Sequence, residues 1–137
     1  MWKRPTALVQ QLISKSMVGS QRNVTVTPKS GIDLNLKESV GSSTAKAILS
    51  FAVDKADGTK AVTLINQSST TPYTVEVEMP SAFTTMSAQG VMPVSFPNDE
   101  NEINHNNIVI KPVALTKDGN SITLTLPATS VVVLEAK

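Results

Sequence analysis

Few residues in this 137-residue chain have the types and spacing that chemistry demands. Glu76 and Glu78 come nearest. They lie two apart on an alternating run, so their carboxyls project from one face of a strand. Two carboxyls about 5 to 9 Å apart are what hydrolysis of a glycosidic bond requires. They alternate with Val75 and Val77, however, and so read as the wetted face of an amphipathic strand. The run Asn98-Asp-Glu-Asn-Glu102 clusters the oxygens that a hard cation such as calcium wants, but it lacks EF-hand spacing and reads as a solvated loop. His105, the only histidine, sits between Asn104 and Asn106 with no cysteine or acidic partner at a metal-binding spacing. Ser130 has no Gly-x-Ser-x-Gly elbow around it, and neither a phosphate loop nor a dinucleotide fingerprint occurs. The expectation is a chain with no catalytic, cofactor-binding or metal site.

Binding chemistry needs different residues. Sugar-binding surfaces present two or three aromatic rings for stacking, beside polar groups that read hydroxyls. Aromatic residues make up 4% of the chain: Trp2, Phe51, Tyr73, Phe83 and Phe96. Phe51 falls on the expected inward face of its strand, and Trp2 is placed to staple a helix to the sheet. That leaves Tyr73 and Phe83, near strand ends, as the candidate carbohydrate-binding pair. Nucleic acid is not an expected partner, because the net charge is +1 and the twelve Lys and Arg are scattered, with Lys3 and Arg4 alone adjacent. The absence of cysteine excludes disulfides and thiolate zinc sites. No stretch approaches the roughly 18 apolar residues of a membrane span. The start, Met-Trp-Lys-Arg-Pro, has no apolar core of a signal peptide, so the chain reads as cytoplasmic or as part of a longer, processed polypeptide.

The elements that would position these residues are mostly strands. Residues 5–18 are the one expected helix: Leu8, Val9, Leu12, Ile13 and Met17 form a stripe of period 3.6, Pro5 suits the first turn and Gly19 the C′ position. From residue 23 the period becomes 2. Strands are expected at Asn23–Thr27, Ile32–Leu36 and Ala45–Asp54, the last with Ala47, Leu49, Phe51 and Val53 inward. Asp57-Gly58 marks a tight turn into Lys60–Asn66. Tyr73–Met79 alternates again. Phe83–Ala88 and Val91–Phe96 flank Gly90, and Ile108–Leu115 carries Pro112, which suits an edge or a bulge. Asp118-Gly119 turns the chain into a terminal pair, Ile122–Leu126 and Val131–Glu135, separated by Pro127. About eight short strands with no helix between them specify an all-β, antiparallel β-sandwich with one N-terminal α-helix. Residues 1–22 are read as helix and lead-in, and 23–137 as the sandwich.

Three pieces of the chain resemble the C-terminal β-sandwich that follows the (β/α)8 barrel in arabinofuranosidase, xylosidase and glucuronoxylanase-like glycoside hydrolases. Arg4-Pro-Thr-Ala-Leu-Val-Gln-Gln-Leu12 is similar to the last barrel helix, leading into the sandwich. Phe51 to Asn66, turning at Asp57-Gly58, resembles the central hairpin, which ends on an Asn. Ile122-Thr-Leu-Thr-Leu-Pro-Ala-Thr-Ser-Val-Val-Val-Leu134 resembles the closing hairpin. They cover roughly half the chain in the expected order. The resemblance implies a non-catalytic domain of a secreted or periplasmic glycoside hydrolase, whose partner is the catalytic barrel and whose catalytic glutamates lie on barrel strands absent here. The alternatives are a module that binds plant polysaccharide and an immunoglobulin-like interaction domain; the latter leaves the leading helix unexplained. The expected core is Leu49, Phe51, Val53, Val62, Leu64, Val75, Val77, Leu124, Leu126 and Leu134.

Overall fold

The structure is a computed structural model that describes residues 4–24, 33–38, 41–93 and 108–137, with the backbone alone for 33–38 and 41–46. The expected loop Asn98–Glu102, His105, Trp2 and Phe96 lie outside these residues. The described chain forms α1 (Pro5–Ser16), β1 (Ser20–Arg22), β2 (Asp33–Glu38), β3 (Gly41–Lys46), β4 (Ile48–Asp54), β5 (Lys60–Asn66), β6 (Tyr73–Glu78), β7 (Met86–Pro93), β8 (Ile108–Pro112), β9 (Thr116–Asp118), β10 (Ser121–Leu126) and β11 (Ser130–Ala136). Six strands make one antiparallel sheet in the order β1-β4-β5-β11-β7-β8. Three make a second, β6-β10-β9, and β2 pairs with β3. The fold is the expected all-β sandwich with one helix.

Between the two larger sheets lies the main core. Ile48, Val62, Leu64, Ala88, Met92, Val132 and Leu134 of the large sheet meet Ile122, Leu124 and Leu126 of β10, with Val75 and Val77 of β6 packed at the side. The alternation of β6 and β10 is borne out, since even-numbered residues of β10 are buried while Thr74, Glu76 and Glu78 face out. Pro112 sits on β8, an edge strand, where a missing N–H breaks no ladder.

The β4–β5 hairpin turns where expected. The Lys55 and Gly58 N–H groups donate to the Thr59 and Lys55 carbonyls, at 2.8 and 3.1 Å, and Gly58 takes φ +87°. This is a three-residue loop whose last position needs a left-handed backbone. Its register corrects the expected face of β4. Pairing Asp54 with Lys60 puts Ala52 beside Val62 and Ser50 beside Leu64. With Val62 and Leu64 in the core, β4 must turn Ile48, Ser50 and Ala52 inward, because neighbouring strands share a pleat. Leu49, Phe51 and Val53 therefore point away from the main core, and Phe51 is 51% exposed.

Other expectations shift as well. Asn23 and Val24 are not in a strand, and the rest of Asn23–Thr27 lies outside the described residues; instead Ser20–Arg22, within the expected lead-in, pairs with β4. Gly19 does not cap the helix by a positive φ. It permits a close crossing, since a Cβ there would stand 2.2 Å from the Asp54 carbonyl oxygen. Gly90 does not divide two strands: β7 runs through it, and an added Cβ would meet Met92 Cε at 2.4 Å. The last two strands are not a hairpin. After β10 the chain turns at Pro127-Ala-Thr129 and crosses to the other sheet, where β11 is inserted between β5 and β7.

Candidate functional site

The outer face of the large sheet carries apolar rows on which, among the described residues, helix α1 packs over one part. Across it, register aligns Leu49, Ile65, Val131, Val91 and Ile110 in one row, and Phe51, Thr63 and Val133 in the next. Helix α1 lies over β7, β8 and β11 and packs Leu8 and Leu12 on Val91, Val133, Ile108 and Ile110. Its 3.6-residue stripe is thus spent on this face, as the sequence requires. Beyond the residues that the helix packs on, the same rows continue through Leu49, Ile65 and Val131, which are half-buried, and Phe51, which stands half out of the surface. A Lys55–Glu135 ion pair at 3.2 Å bounds the rows at one end.

At that end charges cluster around the hairpin. Asp54 accepts from Arg22 Nε at 2.7 Å and from Lys60 Nζ at 3.3 Å. Burial pulls the Asp54 carboxyl up, but the two hydrogen bonds and the charges of Arg22 and Lys60 together hold it below its ordinary value. Asp57 is held low by hydrogen bonds from Thr59, whose N–H donates to Asp57 Oδ1 at 2.9 Å.

Asn66, at the end of β5, joins the layers. Its Nδ2 lies 2.9 Å from the Thr71 carbonyl, 3.2 Å from that of Leu126 and 2.9 Å from that of Pro127, and its Oδ1 accepts from the Ser68 N–H at 2.9 Å. One buried amide therefore ties β5 to the start of β6 and to the β10–β11 corner. The resemblance had pointed to an Asn here; its role as the joint between sheets needed the structure.

The sequence-level candidates are placed as follows. Tyr73 faces inward on β6, half-buried against the main core. Phe83 is only 8% exposed, and the Lys117 ammonium sits 4.2 Å from its ring centroid while donating to the Phe83 carbonyl at 2.6 Å. A ring enclosed in this way has no free face on which a sugar could stack. The two rings do not form an exposed platform. Glu76 and Glu78 are on the exposed face of edge strand β6, opposite Thr123 and Ser121. Ser130 Oγ is buried and donates to the Pro127 carbonyl at 2.6 Å, holding the corner. Among the described residues no group of three His, Cys, Asp or Glu could hold a metal ion, and no helix is long and apolar enough to cross a membrane.

Neither a family model nor a curated protein sequence matches the chain. Solved structures do. A family 51 arabinofuranosidase from Xanthomonas axonopodis pv. citri aligns with TM-score 0.63 and 19% identity over 76% of this chain and 21% of its own. A family 51 α-L-arabinofuranosidase from Bifidobacterium longum gives TM-score 0.60 and 21% identity over the same shares, 76% and 21%. The thermostable family 51 α-L-arabinofuranosidase from Thermotoga petrophila gives 0.58 and 15%, over 71% and 21%. The chain spans about a fifth of the length of these enzymes. Its fold is that of a domain-sized part of arabinofuranosidase-type glycoside hydrolases, as its sequence resemblance implied.

Proposed function

We propose that this chain is the non-catalytic β-sandwich of a glycoside hydrolase, packed against a (β/α)8 catalytic barrel and stabilising it, in an enzyme that is secreted or periplasmic. The observation that carries this reading is the outer face of the large sheet. Helix α1 packs on one part of this apolar face, and the half-buried Leu49, Ile65 and Val131 continue it to Phe51, which is 51% exposed. Contiguous apolar surface bounded by charge is the kind of face that proteins bury against a neighbour. The fold likeness to about a fifth of family 51 arabinofuranosidases supports a neighbour of that kind. Helix α1 is then the connection, with one side on the sandwich and the other turned to the barrel.

Two measurements test the reading. Phe51→Asp in the barrel-bearing polypeptide should lower the unfolding temperature of the catalytic domain by several degrees, and by more than it lowers that of the isolated chain, where Phe51 is already half in water. An unaltered catalytic domain would remove the docking face. Calorimetry of the isolated chain with xylan, arabinan and cellulose should show no heat, and the same sample should release no sugar. Binding at millimolar sugar would instead support the polysaccharide-binding reading, through residues other than the enclosed Phe83 ring.

A further inference from the structure

The corner between β10 and β11 is short and its backbone unfavourable. Thr129 has φ +53°, the one positive φ at a non-glycine residue among the described residues. For a β-branched side chain this is an outlier. The strand it introduces is held on both sides: Ser130–Ala136 pairs with Asn66–Lys60 of β5, and Val131–Ala136 with Val91–Met86 of β7. Both partner strands precede the corner, so β11 reaches its slot only across residues 127–129. None of these pairings depends on which copy of the chain supplies the strand.

We propose that β11 is an exchangeable strand, and that two copies at high concentration open at residues 127–129 and insert β11 into each other's slot between β5 and β7. Opening lets Thr129 take the extended backbone that β-branched residues prefer, and the fixed φ of Pro127 suits the same extended path. Short hinges under strain favour this exchange, because the swapped form recovers all native pairing while relieving the hinge. Opposing it are the bonds that close the corner: the Thr129 N–H to the Ser68 carbonyl at 2.8 Å, Ser130 Oγ to Pro127, and Asn66 to Pro127. Dilution therefore restores the monomer.

The chain has no cysteine, so an engineered pair reports cleanly. Thr63 and Val133 are register partners across β5 and β11. Opposed strand positions meet the Cα separation that a disulfide needs. The full chain carrying Thr63→Cys and Val133→Cys is refolded at about 1 μM and at about 1 mM, oxidised, and examined by denaturing electrophoresis and light scattering. Exchange gives disulfide-linked dimers at the higher concentration and internally linked monomers at the lower. Adding Thr129→Gly, which accepts the closed corner without strain, should reduce the linked dimer about fivefold or more. Deleting Ala128 should raise it. If both the parent pair and the shortened hinge stay internally linked at every concentration, β11 does not exchange. A dimer whose disulfides are all internal would equally overturn the proposal, since it would associate through its surface alone.

Discussion

Replacing Asn66 with alanine should cost as much as removing a core leucine, although the side chain is a polar amide. Asn66 is 1% exposed. Its Nδ2 carries two hydrogens shared among three carbonyls, of Thr71, Leu126 and Pro127, while Oδ1 accepts from the Ser68 N–H. That amounts to three well-satisfied bonds. At about 1 kcal/mol net each, their loss comes to about 3 kcal/mol, and stranding those buried groups without water brings the total towards 5 kcal/mol. A urea melt followed by tryptophan-independent circular dichroism measures it directly. With a slope of about 2 kcal/mol/M, usual for a small domain, the midpoint should fall by about 1.5 to 2.5 M with the slope unchanged. Asn66→Asp keeps the shape but loses both donors and brings an acceptor against three carbonyls, so it should be at least as damaging at neutral pH. A loss under about 1 kcal/mol for Asn66→Ala would refute the reasoning, because the corner and the β5–β6 connection would then hold without the amide.

Leu124→Ala, in the centre of the main core, should cost about 2 to 5 kcal/mol, whereas Phe51→Ala on the outer face should cost the isolated chain well under half of that; equal losses in urea melts would reverse the face assignment of β4. Gly19→Ala should destabilise more than Gly90→Ala, since the first meets a backbone carbonyl and the second the mobile end of Met92, and paired thermal melts decide it. The ion cluster at the hairpin makes stability depend on acid. The folded Asp54 carboxyl lies below its ordinary 3.8, so the unfolded chain binds the proton first and stability is present above that value and lost as pH falls below it. Asp54→Asn should flatten that acid limb of the melting temperature, and an unchanged limb would exclude Asp54 as its source.

Much of the fold was legible where one physical rule governed alone. The Asp57-Gly58 turn demanded a left-handed residue, α1 had one apolar stripe and one face to cover, and β6 and β10 have water on one side. The face of β4 was misread because Ile48-Leu-Ser-Phe-Ala-Val53 is apolar at both parities, and the bulk of Leu49, Phe51 and Val53 suggested the wrong one. The signal that corrects it lay in the hairpin itself: a three-residue loop forces Val62 and Ala52 onto one face, so Val62 and Phe51 could not both point inward. Gly90 looked like a break because a missing side chain reads the same whether the backbone turns or a neighbour needs the space. The β10–β11 corner could not be told from a hairpin, since alternation says which residues are buried but not which sheet a strand joins. The apolar outer face of the large sheet follows from the corrected parity of β4, and so was hidden by the same error.

The most direct test of the central claim is the reading frame that surrounds this coding sequence. That frame should continue into a (β/α)8 barrel carrying two catalytic carboxylates, joined to the sandwich through helix α1. A stop codon and ribosome-binding site immediately before Met1, with no barrel in frame, would contradict the claim.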